Sequence, residues 1–113
     1  MIKLSVIIPT RNRAEILKQA LESLVQQKLS QNSFEVIVVD NGSTDKTKEI
    51  VDSFLNKISN LVYIYDDNPG LHIGRHRGLE AAQSDILVYG DDDIEALSTW
   101  LEAIMESFED ESV

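Results

Sequence analysis

Four short apolar runs, each separated from the next by a stretch of helical periodicity, constrain this chain more than any other feature. They lie at residues 4–8, 36–39, 61–65 and 86–89; Pro9 ends the first, and Phe34 and Glu35 lead into the second. Strands joined through helices pair in parallel, since a parallel crossover needs roughly a dozen residues and a helix supplies them. The runs are dense in Val, Ile and Leu rather than alternating with polar residues, which fits strands buried on both faces. The expected fold is α/β, three layers deep, around a mostly parallel sheet.

The helical stretches carry their own signals. Leu17, Ala20, Leu21 and Leu24 recur at helical spacing and predict a first helix over residues 14–27. Ser43 or Thr44 is expected to cap a second, whose apolar face is Ile50, Val51, Phe54, Leu55 and Ile58. A third is expected near residues 73–82, where Gly74 and Gly78 lie four apart and permit close approach of the backbone to a neighbour or ligand. Leu97, Leu101, Ile104, Met105 and Phe108 make a fourth, which runs into Glu109-Asp110-Glu111. Acid at a helix C-terminus opposes the dipole, so that end is expected to be solvated and frayed.

With 113 residues and 42% hydrophobic content the chain is of single-domain size, and residues 1–113 are read as one unit. A formal charge of -10 argues against broad binding to nucleic acid or to an anionic membrane surface. Any nucleotide must be held locally. There is no cysteine, which excludes disulfides and thiolate metal sites. The N-terminus lacks a leader pattern, and no apolar run approaches the roughly 20 residues of a spanning helix. The expected location is cytoplasmic, with any membrane association supplied by regions outside this chain.

In a Rossmann-like sheet, ligands bind beyond the carboxyl ends of the strands, where the strand order reverses. With strand one central in the order 3-2-1-4, three polar loops meet there: Pro9-Thr10-Arg11-Asn12-Arg13, Asp40-Asn41-Gly42-Ser43-Thr44-Asp45, and Asp91-Asp92-Asp93. Asp40 ends an apolar strand, where a carboxylate can accept hydrogen bonds from a base N–H or ribose hydroxyls. It could instead cap the following turn, but Ser43, Thr44 and Asp45 already supply caps. The segment from Asn68 to Gly78 gathers Arg75, Arg77, His72 and His76 in an otherwise acidic chain, and Arg suits forked contacts with phosphate or a base edge. His72 and His76 lack the companion Glu of a helical zinc motif.

Three successive carboxylates after a buried strand exceed what capping a helix needs, and they repel one another unless a cation sits among them. Hard oxygen ligands suit Mg²⁺ or Mn²⁺, and Mg²⁺ is usually held by one or two carboxylates together with substrate phosphates. Asp91 and Asp93 would face one cation if the segment is extended.

Together the segments SVIIPTRNR at 5–13, EVIVVDNGSTDKT at 35–47 and ILVYGDDD at 86–93 resemble the inverting, nucleotide-sugar-dependent glycosyltransferases of the GT-A fold, family 2. Leu17, Leu21, Ser23, Leu24 and Gln27 follow the same pattern. The resemblance implies a truncated GT-A-like sheet holding a nucleotide-diphosphate sugar, with UDP as the expected nucleotide, and Mn²⁺ or Mg²⁺. It implies that Pro9, Thr10, Arg11 and Asn12 line the nucleotide pocket, that Asp40 contacts the base with Asp45 assisting, and that Arg75 lies near the base or phosphates. His76 stands where the family commonly has Asn. Asp91 and Asp92 are implied at the ribose or the metal, and Asp93 at the metal, most firmly of the three. The match covers the nucleotide-binding front half of the family's catalytic domain. The acceptor-binding half and its general base are absent, and Glu95, Glu102 and Glu106 do not fall in the expected context. The chain alone is therefore expected to be inactive, or part of a longer protein in polysaccharide or cell-surface glycan synthesis.

Other classes leave different marks. A sugar nucleotidyltransferase carries a Gly-rich basic loop after strand one, where Pro9 to Arg13 holds no glycine. A phospho-acceptor receiver domain needs an acidic pair where Arg11 and Arg13 stand. A non-catalytic binding or assembly module remains, in which the open sheet edge pairs with a second copy as a homodimer.

Overall fold

Residue-for-residue parallel pairing joins the two most apolar runs. In a computed structural model, which describes residues 2–66, 78 and 80–111, strand β1 (Leu4–Thr10) lies beside β2 (Phe34–Asp40), from Leu4 opposite Phe34 to Thr10 opposite Asp40. Strand β3 (Leu61–Tyr65) adds to β2, and β4 (Leu87–Tyr89) adds to β1 with Ser5 opposite Leu87. The order is β3-β2-β1-β4, as expected, and all pairs are parallel, as the alternation of runs and helices implies. Every residue of β2 is buried, and all of β1 except Pro9. Strands β3 and β4 are only partly covered, so burial on both faces holds for the central pair and not for the outer strands.

Handedness decides which face each helix covers. The steps from β1 to β2 to β3 move one way across the sheet, so right-handed crossovers place α1 (Ala14–Val25) and α2 (Thr47–Ser53) on one face. Val6, Ile8, Val36 and Val38 meet Leu17, Leu21, Leu24, Val51 and Phe54 there, and α3 (Trp100–Glu111) adds Leu101 and Met105. The return from β3 to β4 runs the other way and lands opposite. Ala81 and Ala82 pack there against Ile7, Ile37 and Val39. Each fully buried Leu, Ile or Phe contributes about 1.5–3 kcal/mol, which makes this two-sided core the main stabilising term.

Of the expected third helix, residues 78, 80 and 81 are helical, Ala82 is not, and residues 73–77 and 79 lie outside the described residues. Gly78 touches the sheet directly: a Cβ built on it would lie 2.3 Å from Ile7 Cγ2. At the other end of the strands from Asp40, Glu35 is buried and accepts from the Ser5 hydroxyl at 2.6 Å and the Gln83 N–H at 2.7 Å. This buried carboxylate is satisfied by local donors.

Element ends differ from the expected ones for local reasons. Helix α1 stops at Val25, where the Gln27 N–H turns back to the Leu24 carbonyl, and the Gln27 side chain ties this end to α3: its Nε2 donates to the Ser23 and Leu97 carbonyls, and its Oε1 accepts the Leu101 N–H. Helix α2 starts at Thr47, not at Ser43 or Thr44, because Asp45 takes the Thr47 N–H. Leu97 precedes α3 and is 78% exposed, while the backbone stays helical through Glu111. No helix among the described residues is long and apolar enough to cross a membrane.

Candidate functional site

The carboxyl ends of β1, β2 and β4 bring the three polar loops together. Asn12 ties the first two. Its backbone N–H donates to Ser43 Oγ at 2.8 Å, and its Oδ1 accepts from the N–H groups of Thr44 at 2.8 Å and Asp45 at 3.3 Å. To do so Asn12 takes φ 51°, a left-handed conformation that Asn tolerates better than most residues. Asp45 makes a second tie, accepting the Ala14 N–H at 3.2 Å on one oxygen and the Thr47 N–H and hydroxyl on the other. The Thr47 hydroxyl is the main reason that the Asp45 carboxyl sits below its ordinary value, with the Ala14 and Thr47 N–H groups acting the same way. Ser43 and Thr44, expected as helix caps, serve this loop junction instead. Pro9 lies half-buried opposite Val39, and Arg11 is exposed.

Asp40 is 1% exposed, at the end of β2. One carboxylate oxygen accepts the Ser43 N–H at 2.9 Å, and the other accepts the Tyr63 hydroxyl at 2.5 Å. Asp40 thus does close the turn after β2, which the sequence assigned to Ser43, Thr44 and Asp45. An ionised carboxylate has about four lone-pair sites, so these two donors leave acceptor capacity. Burial, and then the Asp40 carboxylate, push the Tyr63 hydroxyl well above the usual phenol value, so it remains a donor.

The Asp91 run is not extended. The Ile94 N–H donates to the Asp91 carbonyl at 3.2 Å, so the three aspartates ride a turn that buries Asp92 and leaves Asp91 and Asp93 exposed. Asp92 is buried. Its Oδ2 accepts the Thr10 hydroxyl at 2.9 Å, and its Oδ1 lies 3.4 Å from Arg13 Nη1. Repulsion within the run is therefore relieved in part by Arg13, a cation the protein itself supplies. With Arg13 about half exposed the pair is screened, and the Thr10 bond holds the geometry. Asp91 and Asp93 are exposed, and no hydrogen bond or ion pair engages their carboxylates among the described residues. No group of three metal-ligating side chains gathers among the described residues.

Thr10, Asn12, Asp40, Asp45 and Asp92 thus form one connected junction, with Pro9, Arg11, Asp91 and Asp93 around it. Arg75, His72 and His76 lie outside the described residues. The sequence reading missed Tyr63, although the register reveals it: Tyr63 pairs with Val38, two residues before Asp40 on the same face of the sheet. It also left Arg13 out of the site, where Arg13 holds Asp92.

Residues 5–113 match the family model described as Glycosyl transferase family 2. The chain belongs to this family, and its sheet is that of the GT-A fold. Glycosyltransferase AglE of Haloferax volcanii is 39% identical over 99 residues, 87% of this chain and 33% of that protein. S. aureus TarS 1-349 in complex with UDP-GlcNAc superposes with a TM-score of 0.88 at 31% identity, over 96% of this chain and 32% of that one. The mannosyltransferase PcManGT from Pyrobaculum calidifontis, in complex with GDP-Man and Mn²⁺, gives 0.75 at 28% identity, over 80% of this chain and 27% of that one. The chain spans about a third of the length of these relatives.

Proposed function

We propose that this chain is the donor-binding part of a metal-dependent glycosyltransferase, holding a nucleotide-diphosphate sugar at the crevice between β1 and β4. The observation that carries this reading is the cross-tied junction of three loops at the point where the strand order reverses. In this reading Asp40 accepts from the nucleobase, Pro9, Thr10, Arg11 and Asn12 wall the nucleotide, and Asp91 and Asp92 border the ribose. Asn12 and Asp45 act chiefly by holding the loops, since their oxygens are taken by protein donors. Arg75 belongs to the same proposal on sequence grounds.

Asp91 and Asp93 would hold Mn²⁺ or Mg²⁺. Two exposed carboxylates without protein partners among the described residues fit a cation that takes its other ligands from a diphosphate and water. When bound, such an ion neutralises charge developing on a leaving nucleoside diphosphate. UDP is favoured as the nucleotide because the TarS complexes hold UDP-GlcNAc and UDP, although PcManGT holds GDP-Man. A role in polysaccharide or cell-surface glycan synthesis belongs to the same proposal; what supports it is a relative that acts on a polymer, the poly(ribitol-phosphate) β-N-acetylglucosaminyltransferase TarS of Staphylococcus aureus.

Calorimetry on the 113-residue chain with UDP, with and without Mn²⁺, tests the reading. Metal-dependent binding that Asp93→Ala abolishes is expected. Binding that ignores Mn²⁺, or an Asp93→Ala variant equal to wild type, would overturn it.

A further inference from the structure

We infer that Tyr63 is a positioning residue that makes the Asp40 carboxylate a selective reader of the nucleobase, favouring bases that present a ring N–H donor and disfavouring those that present a bare ring nitrogen. The inference deepens the donor-site reading and rests on it.

The geometry leaves little freedom. Asp40 is 1% exposed, and its two oxygens are addressed from two directions, by the Ser43 N–H at 2.9 Å and the Tyr63 O–H at 2.5 Å. The first donor comes from the turn that follows Asp40, the second from the neighbouring strand β3. A carboxylate held by two donors cannot rotate without breaking one bond, and it presents only acceptor lone pairs to a ligand. Uracil, thymine and guanine offer a ring N–H to such an edge. Cytosine and adenine offer a ring nitrogen with a lone pair at the equivalent place, which faces the carboxylate acceptor to acceptor. Discrimination of this kind is strong where a buried polar group would be left unpaired.

Tyr63 adds something Ser43 cannot. The Ser43 N–H belongs to the backbone of the turn and persists in any folded form of that turn, whereas the Tyr63 hydroxyl is a side-chain donor that one substitution removes. Without it, Asp40 Oδ2 is free to turn, and a carboxylate no longer held in one orientation presents its acceptor edge less strictly to the base. Tyr63→Phe deletes one oxygen and keeps the ring that packs against the core.

The test compares UDP, CDP and inorganic pyrophosphate, each with Mn²⁺, by calorimetry on wild type, Tyr63→Phe and Asp40→Asn. Thermal melts accompany each variant. Wild type is expected to bind UDP at least about tenfold more tightly than CDP, a difference of one good hydrogen bond. Tyr63→Phe is expected to lose most of that preference while binding pyrophosphate as wild type does. Asp40→Asn, whose amide can donate, is expected to narrow or invert the preference. A Tyr63→Phe variant that keeps the wild-type ratio, while Asp40→Asn loses it, would overturn the role of Tyr63 and leave the donor site standing. Equal losses for UDP, CDP and pyrophosphate would show that Tyr63 only supports the fold, and would overturn the inference. Wild type that binds none of the three would overturn the donor site and this inference together.

Discussion

Replacing Gly78 by alanine sets two local effects of opposite sign against each other. On propensity alone the change should help, since alanine is favoured over glycine inside a helix by about 1 kcal/mol. The packing says otherwise. The new Cβ would lie 2.3 Å from Ile7 Cγ2 and 3.4 Å from Ile7 Cβ and Cγ1. The first contact is about 1 Å short of ordinary van der Waals separation, and close-packed interiors absorb such a gap only by moving something. Ile7 cannot retreat: it is 0% exposed in the middle of β1, paired with Ile37 on one side and Tyr89 on the other. The helix must therefore lift, and a contact this short puts the cost in the upper part of the usual overpacking range, about 2–3 kcal/mol. The net expectation is destabilisation by about 1–2 kcal/mol, read in urea unfolding as a lower midpoint at unchanged slope. Ile7→Ala provides the control, because it removes the Cγ2 that the new methyl meets. Alone it should cost about 2–5 kcal/mol, and combined with Gly78→Ala it should cost clearly less than the two added, with coupling of about 1 kcal/mol or more. A Gly78→Ala variant as stable as wild type, or a double variant whose costs simply add, would refute the contact.

Asp45→Ala should cost about 1–2 kcal/mol at neutral pH, because one carboxylate supplies the start of α1 and the start of α2. The Asp45 carboxyl is held below its ordinary value of 3.8, so its stabilising effect is complete above that pH and fades as pH falls through the lower folded value. Unfolding curves for the two proteins should therefore converge in strong acid, and a gap that stays constant would contradict the assignment. Thr10→Val should lower stability by about 1–3 kcal/mol by leaving buried Asp92 without its hydroxyl donor, as thermal denaturation would show. Arg11→Ala should leave stability within about 0.5 kcal/mol of wild type, since the side chain is exposed, yet weaken UDP·Mn²⁺ binding by about tenfold. Unchanged affinity there would remove Arg11 from the pocket.

The sheet was legible because its signal is redundant. Runs such as residues 36–39 contain almost nothing that could face water, and the helices between them force parallel pairing; the order β3-β2-β1-β4 was expected with the GT-A resemblance, since alternation alone does not fix it. The positions of Asp40 and the Asp91 run at strand ends were legible for the same reason. Their partners were not. Capping rules treat Ser43 and Thr44 as local signals, but the Asn12 side-chain Oδ1, which lies 32 residues from Thr44 in sequence, claims that loop instead. Gln27 looked like one more helical residue, and its amide binds Leu97 and Leu101 some 70 residues away. The relief of Asp92 by Arg13 and the bond from Tyr63 to Asp40 likewise span long separations. Periodicity reports which face a residue occupies. It carries no information about which polar group waits there, except where strand register is known, and register would have pointed to Tyr63.

The central claim is that three loops at the ends of β1, β2 and β4 form one donor site. Titrating the ¹⁵N-labelled chain with UDP and Mg²⁺ while following its backbone amide resonances tests this most directly. The account predicts that residues 10–12, 41–45 and 91–93 shift together along one saturation curve, and that omitting Mg²⁺ removes the response of the Asp91 run. Shifts confined to one loop, or centred on the apolar groove of Ile94, Leu97 and Trp100, would contradict it.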